Sequence, residues 1–109
     1  MSAQKTYPPE YLEGIKLFNR GEYYEAHEAW EKIWLCSHGE EKLFYQGLIQ
    51  TAATLLKLQE NKMPAAAQRL REAALDKLSK VKSPFMGLDI LKIVSELEHP
   101  TFKLTLNLL

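Results

Sequence analysis

The segment Leu17-Phe18-Asn19-Arg20-Gly21-Glu22-Tyr23-Tyr24-Glu25-Ala26-His27-Glu28-Ala29-Trp30-Glu31-Lys32-Ile33-Trp34 decides how the rest of the chain is read. After Gly21, the residues Tyr23, Ala26, Trp30, Ile33 and Trp34 recur at the three- and four-residue spacing that gathers side chains on one side of a helix. Before it, Leu12, Ile15, Leu17 and Phe18 give a second helix an apolar side. Asn19-Arg20-Gly21 reads as a stop between them, because glycine tolerates the left-handed conformation that ends helices. The stretch spells a helical hairpin. Ala26 is small enough for the two helices to approach closely, and Tyr23 is placed to cover the turn. Both indoles, Trp30 and Trp34, are expected in the core.

Outward from this hairpin the helical period continues. The first helix opens at Pro8-Pro9 and reaches about Asn19; the second runs from about Glu22 to Leu35 and is ended by Ser37-His38-Gly39. A third, about Glu40 to Glu60, is apolar on nearly all sides and belongs in the centre of a bundle. Asn61-Lys62 breaks it. Pro64 sits where a first-turn proline is tolerated. The fourth helix then extends to about Val81, with Ala66, Leu70, Ala73, Ala74, Leu75 and Leu78 as its inner stripe. Ser83-Pro84 and Gly87 bound a loop, and a fifth helix covers about Leu88 to Glu98. Nothing between Tyr7 and Glu98 has the period of a strand. The expected fold is all-α: a compact bundle of about five helices, two repeat-like hairpins followed by a C-terminal helix and an extended tail. The turn at Asn19–Ala26 finds an echo in Gln59–Ala66, 40 residues on. The first of these turns resembles that of a tetratricopeptide repeat, whose period is about 34 residues.

The tail Thr101-Phe102-Lys103-Leu104-Thr105-Leu106-Asn107-Leu108 alternates apolar and polar residues, the period of a strand. An all-α monomer has no sheet edge to receive it. The tail is expected either to lie extended in a groove of the bundle or to pair with a second copy across a two-fold axis.

Length and composition fix the class. The 109 residues suit one domain (1–109, core 8–98 and tail 99–109), and the 46% hydrophobic content supplies a core and excludes disorder as the main state. Fourteen basic residues balance 14 acidic ones, so no global field draws the chain to nucleic acid or to an anionic membrane. The single cysteine, Cys36, allows neither an internal disulfide nor a cysteine-based zinc site. Met1–Pro9 lacks the apolar core of a signal peptide, and no stretch approaches the roughly 20 apolar residues of a membrane span. A cytoplasmic location is the expectation.

The second helix carries the most informative polar residues. His27 lies at the edge of the apolar face near Trp34, and Glu31 is its neighbour one turn on; Glu28 points further towards water. Three readings compete. As a metal site, His27-Glu28-(x)2-Glu31 has a glutamate where the zinc helix has its second histidine, and Tyr24 stands where a di-iron Glu-x-x-His motif needs glutamate. His27 and Glu31 are the weak metal candidates, and no cofactor is implied. As an acid–base pair, His27 is tuned by Glu31, with no evident serine or cysteine nucleophile. As a structural element, His27 is half-buried and satisfied by Glu31 and another helix. In the third helix Gln46 and Gln50 lie one turn apart, with Gly47, Ala53, Thr54 and Lys57 on the same side. Two glutamines and a glycine are costly in a central helix for stability alone. They are expected to let helix two approach at Gly47 and to meet His27 and Glu31, as a polar network or the lining of a small cleft.

The order Leu17-Phe18-Asn19-(x)1-Gly21-(x)1-Tyr23-(x)1-Glu25-(x)1-His27-Glu28-(x)1-Trp30-Glu31-(x)2-Trp34, then Gln46-Gly47-Leu48-Ile49-Gln50-(x)1-Ala52, then Asn61 and Ala66, resembles the domain-of-unknown-function family numbered 309. The resemblance covers about residues 12–80. It implies a helical bundle and carries over Asn19, Glu25, His27, Glu28, Glu31, Gln46, Gln50 and Asn61 as recurring polar positions, with no activity, substrate or cofactor attached. Lys57 stands where many relatives show a histidine or another polar residue. The expected function is that of a non-catalytic binding module, monomer or homodimer, that holds a protein or small-molecule ligand in a groove between its hairpins. The alternative is a metal-dependent or acid–base enzyme using His27, Glu28 and Glu31, with Gln46 and Gln50 orienting a substrate.

Overall fold

The computed structural model describes residues 6–60, 64–99 and 103–109. Among the described residues five helices follow one another: α1 (Pro9–Asn19), α2 (Tyr23–Trp34), α3 (Gly39–Glu60), α4 (Pro64–Leu78) and α5 (Ile90–Leu97). Among the described residues there is no strand, only a two-residue bridge between Phe85 and Leu88. Among the described residues no helix is long and apolar enough to cross a membrane.

The α1–α2 turn forms as its sequence demands. Gly21 adopts φ +81°, its N–H bonds Phe18 O at 3.0 Å, and Glu22 N–H bonds Leu17 O at 2.9 Å. This pair of bonds satisfies carbonyls that the helix end leaves free. Tyr23 folds back so that its ring meets Phe18 edge-on at 5.2 Å, and Ala26 is fully buried. Trp30 is fully buried and donates through Nε1 to Tyr11 O at 3.2 Å. Its indole lies against Gly14 of α1, where any side chain would overlap it.

Helices pack in series, α1 on α2, α2 on α3, α3 on α4, and α4 on α5. α3 is the centre, with Phe44, Tyr45, Leu48, Thr51, Ala52 and Leu55 buried. α4 differs from expectation in two respects. It ends at Leu78, because the bonds from Lys80 to Lys77 O and from Val81 to Leu78 O tighten the last turn, although Val81 stays in the core. Its buried residues are Ala67, Ala74 and Leu78, while Ala66, Leu70, Ala73 and Leu75 are only half-buried. Contact with α3 sets this rotation. Gly47 faces Leu78, and a Cβ at Gly47 would sit 2.6 Å from Leu78 Cδ2. Gly47 therefore opens the way for α4, where the sequence suggested α2.

The fifth helix starts two residues later than its period suggested. Phe85 and Leu88 exchange backbone bonds of 3.0 and 2.9 Å across Met86 (φ 45°) and Gly87 (φ 80°), a tight turn with both central residues left-handed. Asp89 then caps α5 by accepting from Lys92 N–H at 3.1 Å. Such a φ disfavours methionine by roughly 1–2 kcal/mol. Two buried tyrosines hold it there: Tyr11 donates to Met86 O at 2.8 Å, and Tyr45 Oη lies 3.5 Å from Met86 Sδ. Burial, followed by the neighbouring Tyr45 and Tyr7, pushes the Tyr11 hydroxyl far above the usual tyrosine range. Burial, then Glu41, does the same to Tyr45.

The described part of the tail lies extended on the bundle. The side chain of Asn19 clamps one backbone residue of it, Nδ2 donating to Leu106 O and Oδ1 accepting from Leu106 N–H, both at 2.8 Å. Leu106 is 2% exposed, Leu104 is half-buried, and Leu109 N–H bonds Gly87 O at 2.7 Å. Phe102, the third apolar residue expected in this groove, lies outside the described residues.

Candidate groove over the central helix

α2 and α4 pack on α3 from either side, and between them one face of α3 stays partly open. Gln46, Gln50, Ala53 and Lys57 recur along it at successive turns, each half-buried. On the α2 side the wall is His27 and Trp34, two turns apart and half-buried. On the α4 side it is Leu70, Ala73 and Lys77, and the Lys77 Cβ packs at Gly47. Small alanines at 66 and 73 keep that wall low.

Antiparallel packing brings Gln50 level with the histidine and leaves Gln46 about one turn away. Lys42 Nζ sits 4.9 Å from the centre of the Trp34 ring, which fixes the register of α2 against α3. Seven residues back along α2 and about seven forward along α3 are both about 10 Å of helix. His27 and Gln50 therefore share a level. His27 Nε2 and Glu31 Oε1 are 3.0 Å apart, the one-turn pair expected from the sequence, and Tyr24 stacks on the imidazole at 6.1 Å. The pair is solvated, with 27% of the His27 side chain and 49% of the Glu31 side chain exposed.

Four buried hydrogen-bonding side-chain atoms lack a partner among the described residues; three, His27 Nδ1, Trp34 Nε1 and Gln50 Oε1, belong to residues bordering this groove, and the fourth is Arg71 Nε on α4. The expected meeting of Gln50 with His27 is thus one of level and not of a bond. An unpartnered buried polar atom costs about 1–3 kcal/mol, so three together are an unusual concentration on one face. One is a donor, one an acceptor, and the imidazole nitrogen can be either.

The other polar candidates separate. Asn19 is committed to the tail at the far end of α1. Glu25 and Glu28 are exposed on α2. Asn61 lies outside the described residues. Among the described residues no three His, Cys, Asp or Glu side chains gather closely enough to hold a metal ion. Trp34, Lys42 and Lys77 were not picked out as site residues by motif reading. Their signal is their place on the helical wheel, at the border between buried and exposed sides.

Comparison with known proteins agrees with this fold. A family model, Domain of unknown function (DUF309), matches residues 11–70. An uncharacterized protein of Aquifex aeolicus (strain VF5) is 33% identical over 83 residues, 75% of this chain, and the chain spans about a quarter (25%) of that relative's length. The crystal structure of a conserved hypothetical protein from Thermus thermophilus is similar with a TM-score of 0.71 and 34% identity, covering 84% of this chain and 94% of that one. The hairpin motif, the glutamine-bearing central helix and these matches have one conclusion: the chain belongs to the DUF309 family.

Proposed function

We propose that this chain is a non-catalytic binding module that receives its ligand in the groove floored by α3 and walled by α2 and α4. The observation that carries the reading is the set of unpartnered atoms His27 Nδ1, Trp34 Nε1 and Gln50 Oε1 on a single face. A fold gains nothing from three such atoms, whereas a ligand that supplies donors and acceptors would satisfy them. Two further features support it. The Gly21 turn has the pattern of helical-hairpin repeat proteins, which bind on concave faces; that likeness is an analogy of fold. The Aquifex relative carries the similar stretch within a chain about four times as long, as a module would be carried.

The alternative is an acid–base or metal-dependent enzyme built on His27, Glu28 and Glu31, and the 3.0 Å His27–Glu31 pair is the feature that favours it. Metal analysis of untagged protein separates the two, since stoichiometric metal released by His27→Ala favours the enzyme. The module reading is tested by selecting 12-residue peptides from a displayed library against the full chain and mapping each by amide NMR. Selected peptides that shift the resonances of Gln46, Gln50 and Lys57 support it. If none shifts them, the groove is not a binding site.

A further inference from the structure

We infer that the groove takes an acidic polypeptide segment in extended conformation, held by its backbone on Gln46 and Gln50 and by its carboxylates on Lys42, Lys57 and Lys77. The inference rests on the binding-module reading and adds the class of partner. Charge is its first support. The chain is neutral overall, and three half-buried lysines border the groove. The groove flank of α4 carries Lys77, opposite Lys42 and Lys57 of α3. Of the carboxylates beside the groove, Glu31 on the α2 rim is already engaged by His27, and Glu60 and Asp76 lie next to Lys57 and Lys77. The other flank, against α5, holds Glu72, Asp76 and Glu98 around Leu75 and Val94, together with Arg71, which donates to His99 O at 3.1 Å. Lys57 and Lys77 have loose partners, Glu60 at 3.9 Å and Asp76 at 3.5 Å. Surface pairs of this kind are worth about 0–1 kcal/mol, so both ammonium groups can be recruited by an incoming carboxylate.

Spacing is the second support. Gln46 and Gln50 are four residues apart, about 6 Å along the helix axis. Every second residue of an extended chain advances about 6.6 Å and shows its N–H and C=O in the same direction. Two successive glutamines can thus meet alternate backbone residues of one extended segment. A helical ligand has its backbone groups bonded internally and would leave Gln50 Oε1 as it is. The protein already grips extended backbone in this manner: the Asn19 carboxamide satisfies both the N–H and the C=O of Leu106 at 2.8 Å. From Lys42 to Lys57 is about 22 Å, the span of roughly seven extended residues.

The test uses the full chain and three pools of capped 12-residue peptides with mixed residues at the free positions. One has glutamate at every second position, one has as many glutamates at helical three- and four-residue spacing, and one has lysine at every second position. The alternating-glutamate pool should bind tightest, shift the groove amides, and weaken as salt is raised. Lys57→Glu and Lys77→Glu, both at partly exposed positions, should each weaken it on the order of tenfold, the change that corresponds to about 1.4 kcal/mol. Gln50→Leu should weaken binding while raising the unfolding midpoint, a combination that damage to the fold cannot produce. Tightest binding by the helical-spacing pool or the lysine pool overturns the inference while leaving a binding groove in place. So does binding indifferent to Lys57→Glu, or tighter binding of a single-stranded oligonucleotide than of the alternating-glutamate pool. If no pool shifts the groove amides, the module reading fails with it.

Discussion

Replacing Gly14 by alanine sets helix propensity against packing, and the structure says which wins. Alanine in a helix interior is favoured over glycine by about 1 kcal/mol. At Gly14, however, the new methyl would overlap the Trp30 indole at Nε1, Cδ1 and Cε2. The indole is fully buried and has no free side to move into. Overpacking of this kind costs roughly 1–3 kcal/mol. Displacing the ring also breaks its 3.2 Å bond to Tyr11 O, and a buried N–H left without a partner adds about 1–3 kcal/mol. With the propensity gain subtracted, Gly14→Ala should destabilise by about 2–4 kcal/mol. Urea unfolding followed by tryptophan fluorescence and far-ultraviolet circular dichroism measures it. At a slope of about 1–1.5 kcal/mol per molar, the midpoint should fall by about 2 M. A midpoint that stays or rises would mean that α1 can withdraw from Trp30 at no cost, and the argument for close approach would be wrong.

Other perturbations separate residues that look alike in sequence. Trp30→Ala should cost about 3–5 kcal/mol, whereas Trp34→Ala, at a half-buried ring whose Nε1 has no partner, should cost clearly less in the same unfolding assay; equal losses would place both indoles in the core. Asn19→Ala removes two bonds to the tail and should cost about 1–2 kcal/mol, with fast hydrogen exchange at the Leu106 amide; persistent protection there would show that the tail is held by Leu106 burial alone. Alkaline titration should destabilise the fold above about pH 10. There the unfolded chain loses protons that the folded Tyr11 and Tyr45, with their raised pKa values, retain, so stability falls by about 1.4 kcal/mol per pH unit for each tyrosine. Tyr11→Phe should flatten that slope at the expense of the bond to Met86 O, and an unchanged slope would mean that Tyr11 ionises freely in the folded state.

What the sequence disclosed follows from how local each determinant is. The α1–α2 hairpin was legible because its stop signal, Gly21, and the carbonyls it satisfies lie within five residues of one another. The His27–Glu31 pair was legible for the same reason. The rotation of α4 was not, since it depends on Leu78 entering the space left by Gly47, some 30 residues away in the chain. The role of Asn19 was not legible either, because nothing local announces a partner 87 residues downstream. The late start of α5 depends on a methionine at positive φ, a position for which the sequence offers no cue except the adjacent Gly87. Nothing near Gly14 in the chain announces the indole that packs on it from 16 residues away.

The turn at Met86-Gly87 has a topological consequence. A Cβ placed at Gly87 would come within 2.7 Å of the Tyr7 hydroxyl and 3.0 Å of Leu108 Cδ2, so residues 101 positions apart meet at one glycine. Chain entry and chain exit of the helical array are therefore neighbours. A domain with this geometry can be spliced into a host loop without prising the host apart. It should also tolerate circular permutation, with Tyr7 and Leu108 joined through a short linker and new ends opened at the exposed His38-Gly39 turn.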